Sequence, residues 1–285
     1  MAAAARVTLP AVRQLIRHAL REDIGRGDLT SQAVLAPRQQ LRAVILAKQS
    51  GIVAGAQIAA WTFQLLNCRI RCRIIRRDGQ AVRAGQTILE LRGPGRSILA
   101  AERTAQNILG HLCGVATQTQ QFVRRVRPLR TAILDTRKTL PGLRLLEKYA
   151  VKVGGGVNHR LRLDDAVLIK STHVDVAGIC IGHLLTAAKR SARSTTVEIE
   201  VRNMRELREA LAARPDIVLL DNWTVPAVRR AVALRNAAGR RPLLEVSGGV
   251  TLQNVRRVAA TGVERISIGR LTHSAAALDV ALRVS

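Results

Sequence analysis

The sequence has no apolar run approaching the roughly 20 residues that a membrane-crossing helix requires, which argues against a helical membrane protein. Its start, Met-Ala-Ala-Ala-Ala-Arg, lacks the extended apolar core of a secretory signal, so a cytoplasmic location is expected. Cysteine is sparse. Cys68, Cys72, Cys113 and Cys180 form no C-x-x-C pair, which argues against a disulfide frame or a zinc site and for reduced core residues. Aromatic residues make up 2% of the chain and leave few platforms for stacking single-stranded bases. Acidic side chains are also few, 20 against 46 Lys and Arg, for a net charge of +26.

That charge would suit a nucleic-acid partner. The arginines, however, run from Arg6 to Arg283 instead of gathering in one block, and no zinc finger, basic zipper or RNA-recognition signature is present. A compositional bias towards Arg is the better reading. Electrostatic steering of a strongly anionic small substrate is a further one.

What the chain does hold is 47% hydrophobic residues over 285 positions, enough for one large or two modest cores. Apolar spacing predicts helices at Ala11–Arg21 and Ala56–Leu66, and strands at Leu41–Lys48, Arg69–Arg77 and Thr87–Arg92. Glu22 to Ser31 reads as a polar turn, and Asp78-Gly79 as another. This gives an N-terminal α/β domain over residues 1–105 with a largely antiparallel sheet. Ser97–Val126 reads as a long helix carrying Arg103 and Asn107 on one face. From Arg130 the rhythm becomes strand, helix, strand, helix. Strands are expected at Thr131–Leu134, Ala166–Ile169, Thr196–Ile199, Ile217–Leu220, Leu243–Val246 and Ile266–Ile268. Helices are expected at Pro141–Lys152, Ala177–Arg190, Met204–Ala213, Val225–Ala237, Leu252–Ala260 and Ser274–Leu282. Repeated β-α units imply a parallel sheet or barrel over residues 106–285, with the extreme C-terminus packing back on the first domain.

In such a barrel the residues just past each strand share one mouth. Here they are Asp135 to Lys138, Lys170, Glu200, Asp221-Asn222, Ser247-Gly248-Gly249 and Gly269. Arg137, Lys138, His159, Arg160 and Lys170 form a cationic wall suited to carboxylates. Glu200 and Asp221 end neighbouring strands and are candidate ligands of Mg²⁺ through water and substrate oxygens. Ser247-Gly248-Gly249 and Gly269 precede expected helix starts, with Thr251 and Thr272 or Ser274 as caps, where backbone N–H groups suit a phosphate. Phosphate at one end and carboxylate at the other point to a phosphoryl or phosphoribosyl substrate meeting an organic acid.

The motifs Glu102-Arg103-Thr104-x-x-Asn107, Asp135-Thr136-Arg137-Lys138-Thr139-x-Pro141-Gly142, Gly155-Gly156-x-Asn158-His159-Arg160, Glu198-x-Glu200-Val201, Leu220-Asp221-Asn222, Glu245-x-Ser247-Gly248-Gly249 and Thr272-His273-Ser274-Ala275 carry a further resemblance. The chain resembles the quinolinate phosphoribosyltransferases nearly end to end. That resemblance implies an N-terminal α/β sandwich followed by an incomplete, TIM-like α/β barrel. It implies transfer of phosphoribosyl from phosphoribosyl pyrophosphate to quinolinate with decarboxylation, giving nicotinate mononucleotide, CO₂ and pyrophosphate in NAD biosynthesis. By the same resemblance, Arg103, Arg137, His159, Arg160 and Lys170 surround the pyridine dicarboxylate. Lys138, Glu200, Asp221, Ser247, Gly248, Gly249, Ile268, Gly269 and Arg270 hold the phosphoribosyl group, its phosphate and Mg²⁺-pyrophosphate, and Thr136 is a further substrate-binding residue. Lys138, Lys170, Glu200 and Asp221 would be the catalytic set, Mg²⁺ the cofactor, and the assembly a homodimer or larger with Arg103 reaching a partner's site. Four positions depart from the family pattern. Lys170-Ser171-Thr172-His173 stands where Lys-Asp-Asn-His is usual, Arg162 where a small residue is common, and Arg270 where alanine is common. These keep open a same-fold paralogue acting on another anionic acid, or one with little activity, beside the reading as a basic nucleic-acid-binding protein.

Overall fold

The computed structural model describes residues 7–192, 195–239 and 241–284. Along the chain the elements are α1 (Leu9–Ile24), α2 (Leu29–Val34), β1 (Gln40–Ala47), β2 (Gly51–Ile52), α3 (Ala56–Leu66), β3 (Arg71–Ile74), β4 (Ala81–Val82), β5 (Thr87–Pro94), α4 (Gly95–Val126), β6 (Ala132–Leu134), α5 (Arg144–Val153) and β7 (Val167–Ile169). They continue with α6 (Ser171–Ala177), α7 (Ile181–Ser191), β8 (Val197–Val201), α8 (Met204–Ala213), β9 (Ile217–Asp221), α9 (Val225–Ala237), β10 (Leu243–Ser247), α10 (Val255–Ala259), β11 (Arg265–Ser267), α11 (Arg270–His273) and β12 (Val280–Val284). The chain forms two compact units, one of residues 1–120, 139–155 and 271–285 and one of 121–138 and 156–270. Among the described residues, no helix is long and apolar enough to cross a membrane.

The first unit is built on an antiparallel sheet in the order β12-β1-β5-β3. Val12, Ile16 and Leu20 recur every four residues and bury one stripe of α1, which packs on α3. Asp78 supplies the cap that α3 lacks locally: its carboxylate accepts the Gly55 N–H at 2.8 Å and the Ala56 N–H at 3.0 Å. Glu147, fully buried on α5, bonds to His111 at 2.8 Å and accepts the Leu140 N–H at 3.2 Å.

Two expectations for this unit are corrected. The polar stretch Glu22–Ser31 is not simply a turn. Helix α1 runs on to Ile24, and Asp28 caps α2 by accepting the Ser31 N–H at 3.0 Å. The helix expected at Ser274–Leu282 does not form. High alanine content favours a helix there, but residues 274–279 run extended along α4. A Cβ on Gly114 would lie 2.0 Å from the Ala276 carbonyl oxygen, and one on Gly110 2.7 Å from that of Leu278. The alanines thus serve close backbone approach, and the chain reaches β1 as strand β12, with Ala43 opposite Val284.

The second unit is the six-stranded parallel sheet in the order β6-β11-β10-β9-β8-β7. All six strands expected from the sequence are present. Their near-continuous burial, as in Ile217–Leu220, fits a parallel sheet covered on both faces. Because β6 and β7 both stand at edges, the sheet is an incomplete barrel. The helix expected at Ala177–Arg190 begins later, as α7 at Ile181, and an unexpected short helix, α6, precedes it. Gly178, at φ 63°, ends α6, and Cys180 precedes α7. All four cysteines are free, but only Cys113 is a core residue, its thiol pushed up to about 12 by burial, while Cys68 and Cys180 are exposed.

Candidate active site

The ends of β8, β9 and β10 stand level, since Asp221 pairs with Ser247 and Val201 with Leu220. Glu200 and Asp221 are both half-buried at these ends. Burial, and then the Glu200 charge beside it, raise Asp221 above the usual carboxylate range. The Asn222 amide, Lys138 and Lys170 pull the other way. Glu200, Lys138 and Lys170, the other residues expected to be catalytic, therefore all act on Asp221. Lys138 and Lys170 are exposed at their strand ends, and the Thr136 hydroxyl accepts the Lys138 N–H at 3.1 Å to fix the turn between them.

Arg137, which directly precedes Lys138, and Arg160 belong to the cationic wall. Desolvation, and then the Arg137 charge, lower Arg160, with the Glu198 charge opposing both. The Arg160 guanidinium also donates to the Ala166 carbonyl at 3.0 Å. His159 turns away from this wall towards two buried carboxylates: its Nε2 lies 3.0 Å from Glu198 and 3.5 Å from Glu245. Burial opposes charging of the imidazole, but the Glu198 hydrogen bond and the charges of Glu198 and Glu245 raise it overall. Glu245 is itself raised, first by burial and then by Glu198, although Arg265 donates to it at 2.6 Å. Asp135 is not at the mouth. It is fully buried and accepts the His159 N–H at 2.8 Å and the Asn158 side-chain amide, latching the Gly156–Arg160 segment.

His159, Glu198 and Glu245 bring one donor atom each to within 4.8 Å of one another, a spacing that a metal would accept. The hydrogen bonding decides against it. His159 Nδ1 accepts the Arg160 N–H at 2.9 Å, so the ring proton sits on Nε2, the atom facing the carboxylates, and no lone pair is left there to ligate.

The loop after β10 has the geometry of an anion cradle. Gly248 and Gly249 have φ of 87° and 62°. A Cβ on Gly248 would lie 2.1 Å from Asn222 Oδ1, so glycine is required there, and the Asn222 N–H is held by the Ser247 carbonyl at 2.8 Å. Thr251 and Asn254 cap each other reciprocally, and the Asn254 amide donates to the Gly249 carbonyl at 2.9 Å. The expected helix Leu252–Ala260 shortens to Val255–Ala259, so the loop backbone rather than a helix dipole dominates this corner. On the neighbouring strand, the Ile268 N–H continues the ladder to the Leu134 carbonyl at 2.9 Å, which places half-buried Gly269 and exposed Arg270 just beyond the strand end. Arg103 and Asn107 lie in the first unit, exposed on one face of α4.

The sequence profile of the quinolinate phosphoribosyl transferase C-terminal domain matches residues 115–283, and that of its N-terminal domain residues 28–113. The chain belongs to the quinolinate phosphoribosyl transferase family. It is 40% identical over 277 residues to the nicotinate-nucleotide pyrophosphorylase (carboxylating) of Mycobacterium leprae, covering 95% of this chain and 96% of that one. To the chloroplastic enzyme of the same name from Arabidopsis thaliana it is 36% identical, over 96% of this chain and 82% of that one. The solved structure of the nicotinate-nucleotide pyrophosphorylase from Francisella tularensis superposes with a TM-score of 0.92 at 39% identity, covering 99% of both chains.

Within this quinolinate phosphoribosyl transferase chain, three side chains join the site that were not among the residues expected there: Glu198, Glu245 and Ser171. The first two had a signal. In a strand, residues two apart share a face, so Glu198 lies behind Glu200 and Glu245 behind Ser247. Ser171 had none beyond its departure from the family pattern.

Proposed function

We propose that this chain is a carboxylating phosphoribosyltransferase that joins quinolinate to phosphoribosyl pyrophosphate. The observation that carries the proposal is the adjacency of two opposed groups at one set of strand ends. Lys138, Lys170, Glu200 and Asp221 suit a phosphorylated sugar, and Arg137 with Arg160 suits an aromatic dicarboxylate. Two cations held beside each other in a partly dry site are relieved by a dianion.

Glu200 and Asp221 fit Mg²⁺: they are hard oxygen donors, Asp221 is raised by burial and then by the Glu200 charge, and a divalent cation would offset that repulsion. When bound there, the metal neutralises charge on the departing pyrophosphate. Lys138 and Lys170 supply fixed positive charge at the same place. Arg137 and Arg160 orient the ring so that its nitrogen faces C1 of the ribose. As the C1–O bond to pyrophosphate breaks, the sugar carries spread positive charge, and the ring nitrogen donates its pair to form the N–C1 bond. The resulting pyridinium accepts the electron pair released when the 2-carboxylate leaves as CO₂, and a proton from solvent completes the ring. No covalent nucleophile is required.

Quinolinate should be consumed with equimolar release of pyrophosphate and CO₂, and nicotinate should be turned over at least about a hundredfold more slowly. It lacks one carboxylate, and leaving the cations facing it unpaired costs roughly 3 kcal/mol. Equal rates with the two acids would reject the assignment.

The exposed Arg103 extends the proposal to a homodimer in which Arg103 of the partner subunit completes each site, an isologous arrangement. Arg103→Ala and Lys138→Ala are each expected to be inactive, and their mixture to regain activity towards about a quarter of wild type by random exchange. Mixed dimers without activity would place Arg103 in its own chain's chemistry or in none.

A further inference from the structure

Glu200 leaves β8 towards the mouth, and its carboxylate is held by Ser171, the first residue of α6. The Ser171 Oγ–H donates to Glu200 Oε1 at 2.6 Å and the Ser171 N–H donates to the same oxygen at 3.2 Å. The first of these has the short length of a charge-assisted O–H···O⁻ bond. Both donors fall on one oxygen, and Oε2 takes neither.

The bond is built rather than casual. Helix α6 starts with a closed first turn, in which the Lys170 N–H donates to His173 Nδ1 at 2.8 Å. It is tied again just past β8: Arg202, two residues beyond Glu200, grips Asp175 with Nη1 at 2.9 and 3.1 Å and Glu206 with Nε and Nη2. Glu200 and Arg202 therefore hold the beginning and the middle of α6 respectively, and Ser171 has little freedom to leave. A free glutamate has three rotatable side-chain bonds, and Glu200 additionally faces the like charge of Asp221. The paired donors of Ser171 oppose both that freedom and that repulsion.

We propose that Ser171 is a positioning residue which fixes the Glu200 carboxylate with Oε1 committed and Oε2 presented to the metal-bearing phosphoribosyl ligand. The inference rests on the phosphoribosyl role of Glu200 given above. A methyl group at residue 171 would leave Oε1 without its hydroxyl donor.

The test compares Ser171→Ala, Ser171→Thr and Glu200→Gln in the full-length protein. Two readouts are used: separate KM values for phosphoribosyl pyrophosphate and quinolinate, and binding of Mn²⁺ with phosphoribosyl pyrophosphate in the absence of quinolinate, followed by the electron paramagnetic resonance of free Mn²⁺. Ser171→Ala should raise the KM for phosphoribosyl pyrophosphate at least fivefold and weaken Mn²⁺ binding by a similar factor. The KM for quinolinate should stay within twofold, and Ser171→Thr, which keeps the hydroxyl, should return both values to within twofold of wild type. Should the alanine variant unfold, Ser171→Cys keeps the volume, weakens the donor and gives the same comparison. Equal increases in both KM values would mean a merely structural role and overturn the proposal. So would an unchanged Ser171→Ala alongside an impaired Glu200→Gln. If Glu200→Gln is itself unimpaired, the phosphoribosyl role of Glu200 falls, and this inference with it.

Discussion

Arg235 on α9 meets Glu264 where β10 and β11 begin; Glu198 and Glu245 lie further along the same sheet, beneath the mouth, with His159 and the Arg265 side chain turned onto them. In the first group Arg235, 2% exposed on α9, uses all three nitrogens. It donates to Glu264 at 2.8 and 3.1 Å, to the Pro242 carbonyl at 3.0 Å and to the Asn236 side chain at 3.0 Å, and Glu264 also accepts the Leu244 N–H at 3.0 Å. Burial alone would raise Glu264, but the Arg235 and Leu244 hydrogen bonds hold it below the usual range. In the second group one oxygen of Glu198 and one of Glu245 receive no hydrogen bond, and Glu245 is raised. The same residue types are saturated at one end and left short of donors near the other. A saturated pair stiffens the sheet. An under-satisfied one stores unfavourable charge where a cationic wall needs a counterweight.

If that contrast holds, damage at the two ends should separate into loss of activity and loss of stability. The largest effect belongs to the mouth. Lys138→Ala should lower kcat/KM at least about a hundredfold, since a contact to developing charge is worth roughly 3 kcal/mol. Its melting temperature and far-UV circular dichroism should match wild type, because the Lys138 side chain is exposed at its strand end and outside the core. A variant that is active but unstable would place Lys138 in the scaffold. At the opposite end, Glu264→Gln should cost about 2 kcal/mol of stability by stranding the buried Arg235 charge, with kcat/KM of the folded protein within twofold. The smallest effect sharpens the same point by pH. Glu264 is lowered on folding, so its contribution is fully present above the ordinary value of 4.5 and is lost as pH falls through the folded value. Urea titrations should show the gap between wild type and Glu264→Gln constant from pH 8 to 6 and closing in acid. A gap that widens in acid would contradict the assigned direction.

Much of this site could be read from the chain because parallel strands announce themselves as short apolar runs, and the residues just after each run sit at the mouth. Lys138, Lys170, Glu200 and Asp221 were found that way, by position and type. Asp135 was misjudged by the same rule: it comes directly after β6, yet it turns inward to the His159 N–H, and only the tertiary path of Gly156–Arg160 reveals this. His159 was grouped with the cations by charge type, although its ring faces Glu198. Helix α6 was invisible to apolar spacing, since Val176 is 89% exposed and α6 buries no side chain. At Ser274–Leu282 local propensity and tertiary demand pointed in opposite directions, and the glycine surface of α4 prevailed.

The pairing of β12 with β1 has a consequence for how the chain is made. Residues 40–47 leave the ribosome early, but one edge of their strand finds its neighbour only when residues 280–284 have emerged. During that interval β1 presents an open row of backbone donors and acceptors, with Ile45 and Ala47 along it, to any other nascent chain nearby. The interval is governed by the speed of translation, so the first domain to be synthesised is among the last to be sealed.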